Sequence, residues 1–145
     1  MYTSGRLCVR LACVAVTAEG YLAVAMHDDV KTGNGSSNGA RAAARRVAVI
    51  ESLAGRVVGE CHIKPASKGE LAPWPYGIAT TENGHVVVSD AANHCVYVFD
   101  ADYRFVRRFG RRGSRNRQFK SPRHLAITPN NDILVSDYGN HCVKV

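Results

Sequence analysis

The sequence has no apolar run approaching the roughly eighteen residues that a membrane-spanning helix needs. It has no HExxH pair and no lysine-bearing phosphate loop, so two common routes to catalysis are missing. Its five cysteines, Cys8, Cys13, Cys61, Cys95 and Cys142, are odd in number and form no CxxC or CxxxC pair. Neither a disulfide framework nor a zinc site is indicated, and a reduced, cytoplasmic compartment fits that usage. Arg6 and Arg10 precede "LACVAVTA", a faint likeness to a signal sequence. The stretch runs on as "EGYLAVAM", however, which reads as a turn and a second strand. A last absence is local: of the 12 acidic residues, none falls between Arg104 and Arg123.

What is present, above all, is a repeat. "SDAANHCVYV" (89–98) returns 47 residues later as "SDYGNHCVKV" (136–145). The same offset aligns Pro75 with Pro122, Ala79 with Ala126, and Asp90 with Asp137. A period of this length points to a stacked or radial array of supersecondary units. Within one unit, "GIATT", "HVVVSD", "CVYVFD" and "FVRRFG" are short and rich in β-branched or aromatic residues. The turn formers "ENG", "AAN" and "AD" separate them, which predicts a four-stranded antiparallel meander. "VVV" at 86–88 is apolar on both faces, as suits a strand between two sheets. The expected fold is all-β, a partial β-propeller.

A worn copy precedes these two. "VAVTAEGYLAVAM" (14–26) overlays "IATTENGHVVVSD" (78–90), with Met26 in place of Asp90, and "RVAVIE" (46–51) overlays "CVYVFD". The chain then divides into an N-terminal extension or incomplete strand (1–10) and a degenerate blade (11–60) carrying a flexible Gly-, Ser- and Asn-rich insertion (27–45). An inter-blade loop (61–74), a full blade (75–110), a basic inter-blade loop (111–121) and a third blade (122–145) follow. The third ends after its third strand. Propellers close with about four to eight blades, so about two and three-quarter blades leave the ring incomplete, as expected of part of a longer propeller.

The pattern of Pro, an apolar-Ala step, Gly, "V-S-D" and then "N-H" before an apolar strand resembles the NHL repeat. The stretch "RRFGRRGSRNRQFKSPRHLAITPNNDILVSDYGNHCVKV" is similar to the NHL propellers of tripartite-motif ubiquitin ligases, strongly over 73–145 and weakly over 11–60. His124 departs from the pattern, standing where Gly77 sits in the better copy. The resemblance implies a non-catalytic binding platform; any RING that would make the full-length protein a ubiquitin ligase lies outside this chain. Some proteins of that kind bind RNA on the corresponding face. Six-bladed relatives of the repeat include a zinc-dependent lyase, but the six histidines here are too dispersed for a metal site, and no catalytic residue or cofactor is assigned.

The motif letters also have local reasons. Asp90 and Asp137 end a strand, where a carboxylate accepts from free turn N–H groups. Asn93 and Asn140 suit a left-handed turn backbone, and His94 and His141 read as turn-packing residues before ligands. Cys95 and Cys142 read as small buried apolar residues.

Charge gives the functional expectation. Residues 104–123 hold nine of the 19 basic residues, and the rest of the chain holds 10 basic against 12 acidic, so the net +7 arises in this segment. In a meander, the connection 111–123 shares a face with "AANH", "YGNH" and the insertion, to which Lys31, Arg41, Arg45 and Arg46 add charge. That one-sided basic face is the footprint of a phosphate-binding surface. Arg111, Arg112, Arg115, Arg117, Lys120 and Arg123 are the expected phosphate contacts; Tyr76, His94 and His141 are candidate base contacts. The partner is single-stranded or structured RNA, or else a protein substrate of a tripartite-motif-type ligase; neither a membrane nor duplex DNA is expected.

Overall fold

The computed structural model describes residues 9–28, 45–64 and 67–145. Most of the 1–10 extension and of the 27–45 insertion, Lys31 and Arg41 included, lies outside the described residues. Three antiparallel sheets follow one another in the chain. Blade 1 comprises β1 (Val9–Val16), β2 (Leu22–Asp28), β3 (Arg45–Ile50) and β4 (Val57–His62). Blade 2 comprises β5 (Pro75–Thr80), β6 (Val86–Asp90), β7 (Cys95–Phe99) and β8 (Phe105–Phe109). Blade 3 comprises β9 (Pro122–Ile127), β10 (Ile133–Asp137) and β11 (Cys142–Lys144), with a single 3-10 turn at Tyr138–Asn140. Each strand pairs with its sequence neighbour, which is the meander the turn spacing requires. The ring is not closed.

The worn copy keeps the register of the good ones. Ala15 pairs with Ala23, Ala79 with Val87, and Ala126 with Leu134. Each first hairpin is also closed by the same threonine: Thr17, Thr81 and Thr128 accept from the amides of Tyr21, His85 and Asp132 at 3.1, 3.0 and 3.0 Å. A hydroxyl that caps its own turn fixes hairpin geometry without help from packing.

Two apolar layers hold the blades together. Ala23, Ala25, Val47 and Val49 of blade 1 meet Val86, Val88, Tyr97 and Phe99 of blade 2. The opposite face of blade 2 supplies Val87, Val96 and Val98 against Phe119 and Val135. Strands β6 and β7 are therefore buried along their whole length, which explains the unbroken "VVV".

The innermost strand β5 packs between β1 and β9. Thr80 Oγ1 donates to the Val16 carbonyl at 2.7 Å, tying blade 2 to blade 1. On the other side the Gly77 amide donates to Ser89 Oγ at 2.8 Å, and that hydroxyl donates to the Arg123 carbonyl. A Cβ on Gly77 would sit 2.0 Å from the Arg123 oxygen, so this crossing admits only glycine. His124, at the matching place on β9, is exposed, and no further inner strand covers it among the described residues.

Candidate functional site

In blades 2 and 3 the turn after the second strand is built around a buried aspartate. Asp90 and Asp137 are both 0% exposed. Asp90 Oδ1 accepts from the amides of Trp74, Ala92 and Asn93 at 2.9, 3.0 and 3.1 Å, and Oδ2 from Asn93 Nδ2 at 2.8 Å. Asp137 accepts from the Lys120 amide and Asn140 Nδ2, both at 2.7 Å, and pairs with Lys144 Nζ at 2.8 Å. Burial works against the Asp137 carboxylate, but these hydrogen bonds outweigh it and hold its pKa below the ordinary value. Each aspartate thus pins the incoming inter-blade connection onto its own turn.

The asparagines extend that pin and do not take the left-handed backbone expected of them. Asn93 exchanges two 3.0 Å hydrogen bonds with the backbone of Leu71, and Asn140 Nδ2 donates to the Gly113 carbonyl at 2.8 Å. Their side chains are committed to the aspartate and the neighbouring loop, so the chain turns one residue later. His94 and His141 carry the positive φ, at 57° and 55°. His94 Nδ1 accepts from the Ser121 amide at 2.9 Å, and burial, then the Arg112 guanidinium, lowers its pKa. The His141 ring is exposed and makes no hydrogen bond among the described residues.

These bonds place the basic loop beside the "AANH" and "YGNH" turns, on the face the meander topology requires. The loop is itself shaped. Arg112 bridges to Phe119, which is 3% exposed and plugs the gap between blades 2 and 3. Lys144 threads beneath, its ammonium donating to the carbonyls of Gln118, Arg115 and Ser114 at 2.6, 3.2 and 3.4 Å. The Lys120 stem lies over Gly139, where a Cβ would meet it at 2.6 Å.

The expected residues divide into groups. Arg111, Arg112, Arg115 and Lys120 are exposed on the loop. Arg117 is exposed too, at φ 61°, but lines a groove of about 470 Å³ with Arg107, Phe109 and Asp132, outward of the turns. Arg123 reaches inward, its guanidinium carbon 5.1 Å from the Tyr76 ring centroid and 3.4 Å from that of Tyr138. Tyr76 also meets His124 edge-on at 5.5 Å. Tyr138 was not anticipated, although it follows Asp137 directly and replaces Ala91 of the better copy. Lys144 was not anticipated either; it replaces Tyr97.

Several other cations are spoken for. Arg46 pairs with Glu60 at 2.6 Å, Arg104 with Asp102 at 3.7 Å, and Arg108 with Glu70 at 2.7 Å while lying over Tyr97. Cys95 is buried as expected, whereas Cys142 is exposed on β11, the edge strand of its sheet.

The model of the NHL repeat matches residues 73–99 and 119–145, so the chain carries two NHL repeats. A 51-residue stretch is 49% identical to RING finger protein nhl-1 of Caenorhabditis elegans, covering 35% of this chain and 5% of that protein. Among solved structures, a catalytically inactive virginiamycin B lyase from Staphylococcus aureus, crystallised with quinupristin, superposes with a TM-score of 0.63 at 12% identity. That match covers 99% of this chain and 39% of the lyase chain. A protein of unknown function from Bacteroides caccae gives 0.61 at 13% identity over 98% of this chain and 43% of its own. At such identities the likeness is one of fold. The chain spans less than half the length of each of these relatives.

Proposed function

We propose that the loop-rich face of this chain binds RNA, with Arg111, Arg112, Arg115, Lys120 and Arg123 meeting phosphates. NHL-repeat domains generally serve as protein- or RNA-binding platforms without catalysis of their own, and the chemistry of this face favours RNA. The observation that carries the reading is the Tyr76–Arg123–Tyr138 stack beside a loop with no acidic residue. Planar aromatic and guanidinium groups at the edge of a cationic surface are what unpaired bases and their phosphates engage together. Arg117, His94 and His141 flank this set. His94 acts through the Ser121 amide, as a support for the loop.

A second reading has its own observation. Leu71 and Trp74 on the 61–74 connection are 64% and 39% exposed, apolar anchors suited to a protein partner such as a substrate of a tripartite-motif-type ubiquitin ligase. Fluorescence anisotropy with a short single-stranded RNA pool at two salt concentrations separates the two. RNA bound through phosphates weakens steeply with salt and is lost when Arg111, Arg112 and Arg115 are changed to Glu. Indifference to RNA in both proteins would leave the face to a protein partner.

A further inference from the structure

The basic loop contains one group that phosphate binding does not use. Ser114 sits at its exposed crest, and its hydroxyl makes no hydrogen bond among the described residues. Arg111 and Arg112 precede it by three and two residues, and Arg115 follows. No other serine or threonine of the chain has arginine at both of those preceding positions. The guanidinium groups are exposed, so a catalytic cleft lined with carboxylates could read them. The Arg111 carbonyl accepts from the Phe119 amide at 2.8 Å and the Gly113 amide donates to the Phe119 carbonyl at 3.0 Å, while the Gly113 carbonyl accepts from Asn140. Arg115 is held at its amide by the Gln118 side chain, at 3.2 Å, and at its carbonyl by the Gln118 amide and Lys144, at 3.0 and 3.2 Å. These ties, with Lys144 on the Ser114 carbonyl as well, hold the backbone from its inner side, while Ser114 and the flanking arginines stay exposed to a kinase.

We propose that Ser114 is the acceptor of a basophilic protein kinase and that its phosphorylation turns off anion binding by this loop. The γ-phosphoryl group passes from ATP to Ser114 Oγ. The new O–P bond forms at the serine, the bond from the γ-phosphorus to the β–γ bridging oxygen breaks, and ADP leaves. The hydroxyl proton goes to the kinase's catalytic carboxylate. The product carries roughly −1.5 to −2 charge among Arg111, Arg112, Arg115 and Arg117. Arginine forks pair with phosphate in bidentate fashion, so the modified serine occupies the groups an RNA backbone would need. The site itself stands on exposure and flanking charge; its effect rests on the RNA reading.

The test is phosphorylation of the whole chain with ATP and a kinase selective for arginine two and three residues before the acceptor. Mass spectrometry maps the product, and a peptide spanning 108–120 is treated in parallel. Incorporation of one phosphate at Ser114 is expected, absent in Ser114→Ala and slowed about tenfold or more when Arg111 and Arg112 are both changed to Ala. Modification of the peptide but not of the chain would overturn the site, because the folded loop would then withhold it. Affinity for the RNA pool is expected to fall about tenfold on phosphorylation, with a shallower salt slope. Unchanged affinity would overturn the switch. A modified Ser114 in a protein that ignores RNA from the start would instead uphold the site and overturn the RNA reading.

Discussion

The Arg123 guanidinium carbon lies over the face of the Tyr138 ring, 3.4 Å from its centroid, a close cation–π contact. Tyr76 bounds the other side at 5.1 Å. A guanidinium fixed in this way gives up freedom before any ligand arrives, and binding then costs less ordering entropy. Three planar groups from two blades form one platform.

Removing an outer plane tests the platform. Tyr138 is 53% exposed, so Tyr138→Ala should change stability by no more than about 0.5 kcal/mol. Its affinity for single-stranded RNA should fall by about 1–3 kcal/mol, the usual range for one stacked base. Tyr76→Ala should weaken RNA binding similarly, but at a larger cost in stability because Tyr76 is half-buried on β5. Anisotropy titration read beside a thermal melt checks both, and unaltered RNA affinity would make the stack a purely structural feature.

Gly77→Ala addresses the junction of blades 2 and 3. The added methyl would meet the Arg123 carbonyl at 2.0 Å, and backbone on a packed strand cannot give way cheaply. A loss of about 1–3 kcal/mol in urea unfolding is expected, with weaker RNA binding because β9 carries Arg123. The reverse change, His124→Gly, removes an edge contact on Tyr76 and frees the backbone of β9, and should cost about 0.5–1 kcal/mol.

The buried Asp137 makes a pH prediction whose sign is fixed. Its folded pKa lies below the ordinary value of 3.8, so its contribution to stability is fully present above that value. The contribution is lost as pH falls through the folded pKa, where the protonated acid releases Lys144 and the Lys120 amide. Asp137→Asn should remove this acid-dependent part and cost about 3–5 kcal/mol near neutrality, since Lys144 loses its counter-charge. Urea unfolding at a series of pH values reads both effects.

The cysteines predict an order of labelling. Burial, reinforced by the Asp100 carboxylate, pushes the Cys61 thiol up to about 12, and burial with Asp90 pushes Cys95 up to about 11. Cys142 lies exposed at the sheet edge. Iodoacetamide near pH 8 should modify Cys142 in the native protein and reach Cys61 and Cys95 only on denaturation. Rapid native labelling of Cys95 would contradict the packing of blade 2 against blade 1.

What could be read from the letters and what could not follow a physical line. Strand positions, hairpin order and the basic face depend on short-range pattern. The repeat carries that pattern even in the worn copy, where Thr17 still caps its turn as Thr81 and Thr128 do. The left-handed residue was displaced by one, from Asn93 to His94, because that choice depends on a loop 22 residues away claiming the asparagine side chain. Tyr138 and Lys144 were invisible for the opposite reason. Each departs from its partner copy, at Ala91 and Tyr97, and a motif read by its agreements passes over its exceptions. Both exceptions lie in blade 3, the blade of Arg123.

Lys144 shows what such an exception does. Its ammonium is surrounded by the carbonyls of Ser114, Arg115 and Gln118 and by the Asp137 carboxylate, so one cation organises the inner side of a loop whose outer side is cationic. The carbonyl dipoles and the carboxylate offset the repulsion between Lys144 and the arginines above it. Lys144→Met keeps an apolar side chain of similar length but removes the charge, whose ammonium lies 5.7 Å from the Phe119 ring centroid. Hydrogen exchange should then quicken at the amides of Gly113, Gln118 and Phe119, whose partners lie within the loop, while β6 and β7 stay protected. RNA affinity should fall several-fold although no phosphate contact has been removed, because a loosened loop must be ordered again on binding. Unchanged exchange in the loop would mean that Phe119 and Asn140 hold it without the lysine, and Lys144 would serve Asp137 alone.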